Sequence, residues 1–91
     1  MDRFGPIFYC AGVPLFYLHV CNGTGFVEDE EGHELRDAAA ARSKAMAGAR
    51  DIMSGEMRGG RLNLASFIEV EDENHVHLFT VTFAEAVDIE R

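Results

Sequence analysis

Apolar and polar positions along the chain alternate in two stretches, fall into helical spacing in a third, and alternate again in two more. Leu15 to Cys21 is short, aromatic and β-branched, the pattern of a strand. Successive side chains of a strand point to opposite faces, so Phe16, Leu18 and Val20 share one face and Tyr17, His19 and Cys21 the other. Asn22-Gly23 is a hairpin signal, extended by Thr24-Gly25, and Phe26-Val27 opens a second strand. Asp29-Glu30-Glu31-Gly32 reads as a polar turn, after which Glu34-Leu35 resumes an extended chain. Asp37 is a good helix N-cap, and the run Ala38 to Ala41 has high helix propensity. Ala38, Ala41, Ala45, Ala49 and Ile52 recur at helical spacing, with Met46, Met53 and Met57 alongside, until Gly59-Gly60 stops the helix. Phe67 to Glu71 is a third strand, Asp72-Glu73-Asn74 a turn, Val76 to Phe83 a fourth strand, and Ala84 to Val87 a short terminal turn.

The order strand-strand-helix-strand-strand predicts an α+β fold: a four-stranded antiparallel sheet with one helix packed on one face. Short links make each strand pair a hairpin and leave the order of the strands open. Gly5-Pro6 and Ala11-Gly12 are loop signals that set the first dozen residues apart. Residues 1–12 are therefore expected to be an N-terminal extension, with Val13 at the original start. Residues 13–91 then form a single small domain.

Composition narrows the function classes. The chain has 91 residues, 47% apolar and 26% charged, which is a folded and not a disordered composition. Its net charge of −8 argues against nucleic-acid binding by phosphate neutralisation, and against docking on an anionic membrane. The apolar stretch Ile7 to Val20 is broken by Pro14 and is too short to span a bilayer. Met1-Asp2-Arg3 is not a positive leader region, so a cytoplasmic location is expected, with Cys10 and Cys21 reduced. No phosphate-cradling glycine loop and no nucleophile motif is present, so no cofactor is expected and the balance leans away from an enzyme.

Four histidines are the candidate metal ligands. His75 and His77 lie two apart on a strand, and His19 or His33 would complete a set, although such residues more often serve as turn or half-buried sheet positions. The acidic run Glu28 to Glu31 lacks the alternation of a calcium loop and reads as a solvated hairpin. Arg42 falls inside the apolar arc of the helix, so it is expected in a buried ion pair, with Glu28, Asp29 and Glu69 as candidate partners, or at a small-anion site. Charge is unevenly placed. Six bases face three acids between Arg36 and Arg61, an excess of three positive charges, while the rest of the chain carries −11.

From Pro14 onward the chain resembles a family of small bacterial proteins of unknown function. The residues that carry the resemblance are Pro14 to Val20, ending His-Val; Asp29, Glu31, Gly32, Glu34 and Leu35; Asp37, Ala41 and Arg42; Glu69, Val70, Asp72 and Glu73; and Phe83, Ala84, Ala86 and Val87. Thr82 departs from the pattern, where a proline is common. The resemblance implies no activity. The architecture itself suggests one: a single helix leaves uncovered the sheet face bearing Tyr17, His19 and Phe67. That face suits a non-enzymatic interaction or self-associating module, expected as a homodimer, or docking a basic protein partner. Two alternatives stand beside it. Two strands followed by an alanine-rich helix are similar to the partial ribonuclease-H-like domain of HicB-type antitoxins, and the histidines suit a small metal-binding protein.

Overall fold

The computed structural model describes residues 13–23 and 25–88. The expected extension, residues 1–12, lies outside them. The elements run β1 (Leu15–Asn22), β2 (Gly25–Val27), β3 (His33–Glu34), α1 (Ala38–Arg58), β4 (Phe67–Glu71) and β5 (His77–Thr82), closed by a 3-10 turn at Ala84–Ala86. The fold is α+β with an antiparallel sheet. The order is β2-β1-β4-β5, with β3 also paired to β1.

The sheet has five strands, not the expected four. The added strand is the extended chain at His33–Glu34, where His33 pairs with Phe16 and Glu34 with Leu15. Both β2 and β3 therefore lie along one edge of β1, β2 at its end and β3 at its start. β4 takes the other edge, placing Leu18 opposite Val70 and His19 opposite Glu69. In β4–β5 the register shifts between Val70–Phe79 and Glu71–His77, leaving Leu78 as the extra residue of a β-bulge.

α1 starts where the Asp37 carboxylate accepts the Ala40 N–H at 2.8 Å. It stops where Gly59 and Gly60 return N–H bonds to the last turn, Gly60 at φ 84°, a conformation glycine takes without strain. Its buried stripe is Ala41, Ala45, Ala49 and Met53. Methyl side chains let the helix lie close on Ile68, Val70 and Val81, with Phe16 and Phe83 completing the core. Ala38 and Met57 share the helical spacing but are exposed. A helix of 21 residues runs about 31 Å, whereas the five-residue β4 it packs on runs about 17 Å, so β4 alone cannot cover its whole length. Among the described residues no helix is long and apolar enough to cross a membrane.

The C-terminal turn is tied back to the same layer. Phe83 is fully buried and donates its N–H to Ser66 O, and Arg50 Nε donates to Ala86 O at 2.6 Å. Because Ala45 has no exposed surface against the sheet, Ala45→Leu is expected to overpack the contact and cost about 1–3 kcal/mol. Ala47→Leu, on the exposed side of the same helix, is expected to leave the urea midpoint nearly unchanged. Urea unfolding of the two variants checks this.

Candidate functional site on the open sheet face

The register of β1 and β4 builds the face away from the helix. Phe16, Leu18, Val20, Ile68 and Val70 pack toward α1, so Tyr17, His19, Cys21, Phe67, Glu69 and Glu71 point the other way. Tyr17, His19 and Phe67 do share this face. His19 is nonetheless only 3% exposed. Its cover comes from the edge: the Phe26 ring lies 5.5 Å from it, the Tyr17 ring stacks parallel at 6.3 Å, and the 28–32 segment closes over it.

Asp29 organises that segment. Between β2 and β3 the chain leaves the β1 ladder, and the Asp29 side chain takes its place, accepting Leu18 N–H at 3.1 Å and Gly32 N–H at 3.0 Å. Gly32 sits at φ 78°, and a Cβ there would meet Leu15 Cγ at 3.0 Å and Tyr17 Cε1 at 3.1 Å, so both conformation and space call for glycine. His33 Nε2 lies 3.3 Å from Asp29 Oδ2. Partial burial pushes the Asp29 carboxyl upward, but the N–H groups of Leu18 and Gly32, the His33 charge and the Glu31 N–H outweigh it and hold the group below its ordinary value.

The Asp29 N–H in turn donates to His19 Nδ1 at 3.0 Å. A backbone N–H has no choice of role, so Nδ1 carries the lone pair and the proton of the neutral ring sits on Nε2. That nitrogen donates to Glu71 Oε1 at 2.9 Å. The same oxygen lies 3.1 Å from His75 Nδ1, and the His75 ring stacks on Tyr17 at 4.3 Å. His75 adopts φ 63°, a left-handed conformation uncommon outside glycine, at the end of the Asp72–His75 turn. Hydrogen bonds from His19 and then His75 hold the Glu71 carboxyl below its ordinary range.

The four histidines therefore do not converge. His19 and His75 meet on Glu71, His33 turns to Asp29, and His77 Nε2 contacts Thr80 Oγ1 at 3.0 Å. Ligand atoms of His19, Glu71 and His75 do lie within 4.8 Å of one another. The hydrogen polarity opposes a metal there. A ligating imidazole normally donates its second N–H to an acceptor, whereas His19 receives an N–H on that nitrogen and keeps its proton on the one facing Glu71. General acid–base chemistry at His19 meets the same obstacle, because both nitrogens are engaged and the ring is buried.

Arg42 forms an ion pair, but with Glu85 in the C-terminal turn and not with Glu28, Asp29 or Glu69. Asp29 and Glu69 belong to the far side of the sheet, out of reach of the helix. The pair is not buried either: the Arg42 side chain is 47% exposed, so the guanidinium reaches past the apolar arc to solvent. Hydrogen bonds from the Thr82 N–H and hydroxyl, then from Arg42, hold the Glu85 carboxyl below its ordinary value. A wide cleft of about 690 Å³ lies apart from the histidines, between the helix end and the β1–β2 turn, and is lined by Asn22, Gly23, Gly55, Glu56, Arg61 and Asn63 among others.

Sequence reasoning did not single out Glu71, or Asp29 as the anchor of His19. The available signal for Glu71 was its four-residue spacing to His75 across a turn. A family model described as a domain of unknown function, DUF6894, matches residues 15–84. The chain belongs to the DUF6894 family. No curated protein and no solved structure matches it.

Two outcomes follow from this geometry. Asp29 and Glu71 have folded pKa values below their unfolded ones, so the stability they add is present above the ordinary carboxylate range and is lost as pH falls below that range and through the folded values. Asp29→Asn replaces one acceptor with a donor against an N–H and is expected to cost about 1–3 kcal/mol at neutral pH. Its deficit relative to wild type is expected to shrink on acidification, read by urea midpoints across pH. Chelator-treated protein is expected to show no thermal shift on adding zinc; stoichiometric zinc lost in His75→Ala would overturn the polarity argument.

Proposed function

We propose that this chain is a non-enzymatic interaction module that docks a protein partner on the sheet face opposite α1. The observation that carries this reading is the open face itself. It presents Tyr17, Cys21 and Phe67 half-buried, with Phe26 54% exposed beside them, on a rigid sheet whose other face is sealed by the helix. An apolar, aromatic patch on a flat scaffold, rimmed by charge, is the usual anatomy of a protein interface. The site chemistry supports the same reading. His19 is locked by two hydrogen bonds and shapes the surface; it does not present a free nitrogen to a substrate.

A second copy of the chain is one occupant of such a face and a different polypeptide is another; a cytoplasmic setting with reduced Cys21 suits both. Native mass spectrometry of protein purified gently from its host tests the reading. The expected result is a stoichiometric extra polypeptide, lost when Phe67→Glu places a charge on the face and kept when Leu62→Glu places one beyond the helix. A bare monomer mass for wild type, or a complex that survives Phe67→Glu, would sink it.

A further inference from the structure

We infer that the open face takes a basic segment of another polypeptide, with Glu69 as counter-ion for an arginine or lysine flanked by apolar residues. The inference rests on the docking reading above and names the partner's chemistry. Glu69 is the middle residue of β4, opposite His19 on one side and Thr80 on the other. It is half-buried, and its carboxylate has no hydrogen-bond or ion-pair partner among the described residues. The two other carboxylates near His19 are already engaged, Glu71 by His19 and His75, and Asp29 by Leu18, Gly32 and His33.

The surroundings of Glu69 make its charge consequential. Phe67 and Glu71 flank it on its own strand, and Cys21 sits close enough that burial first, and the Glu69 charge second, push the thiol up. Next to aromatic and thiol groups a carboxylate is less well screened than at a free surface, so an incoming cation gains more from pairing with it. An arginine is the best match, because its planar fork fits a carboxylate and its face stacks on phenylalanine.

Charge distribution decides the occupant. Among the described residues every lysine and arginine lies between Arg36 and Arg61, in or beside α1, and two of them, Arg42 and Arg50, are tied to the C-terminal turn. None lies on the strands. Glu28, Glu30 and Glu31 lie in the edge segment beside His19, and Asp72 and Glu73 lie in the turn that follows β4. Two copies meeting face to face would bring together two Glu69 carboxylates and the acids of two edge segments, an arrangement that like-charge repulsion opposes. A basic strand or loop meets the same surface with complementary sign.

A phage-displayed library of random peptides about twelve residues long, selected on the immobilised full chain, tests this. The expected consensus has an arginine or lysine between apolar positions. The best peptide, synthesised and titrated by fluorescence anisotropy, is expected to bind about tenfold or more weakly to Glu69→Gln, which keeps the side-chain shape. Asp51→Asn on the exposed side of α1 removes the same charge and is expected to leave affinity unchanged. An apolar or acidic consensus, or equal affinity for Glu69→Gln, would overturn the inference. So would a homodimer that dissociates in Phe67→Glu, although that result leaves the docking surface itself standing.

Discussion

His19 occupies the middle of β1, on the face that no helix covers, yet water barely reaches it. A buried ring with two polar atoms destabilises the fold by about 1–3 kcal/mol for each one left without a partner. The two partners come from opposite directions. The Asp29 N–H arrives from the edge segment and the Glu71 carboxylate from β4. Meeting both demands fixes how the 28–32 segment crosses the sheet edge and where the turn after β4 brings His75. Tyr17 then packs against both imidazoles, and the open face acquires a definite relief.

That relief is backed by a thin, rigid layer. The alanine stripe of α1 brings the helix close to β4 and β5, so the sheet is supported from behind by side chains with almost no conformational freedom to lose. The C-terminal turn is bound to the helix by Arg42 and Arg50. These contacts hold two of the six bases that lie in or beside α1, whereas none of the described strands carries a lysine or arginine.

Both faces of β1 and β4 were legible because a strand's alternation of side chains is set by its pleat, and Phe16-Leu18-Val20 against Tyr17-His19-Cys21 shows it directly. The stripe Ala41, Ala45, Ala49 was legible for the equivalent reason in a helix. β3 was not, since two residues are too few to display a period. Nor did the pairing of Asp29 and Glu71 with His19 stand out, because each carboxylate sits in a run of acids that reads as solvated turn. What separates them from their neighbours is the register of β1 against β2 and β4. Such register depends on contacts between residues far apart in the chain. The Arg42–Glu85 pair escaped notice for the same reason: the helical wheel put Arg42 inside the apolar arc, but the position of the C-terminal turn, which draws the guanidinium outward, was not encoded nearby.

The segment from Glu28 to Gly32 has the composition of a surface loop that tolerates insertions, polar and acidic with a glycine at its end. Its geometry makes it a spacer of fixed length. β2 and β3 are three and two residues long, too short to hold their own alignment on β1, and the Asp29 contacts to Leu18 and His19 set the phase of both. Adding or removing one residue here would turn every side chain of one flanking strand to the opposite face of the sheet. Length variation in this protein is therefore better accommodated almost anywhere else on its surface than in the loop whose composition most invites it.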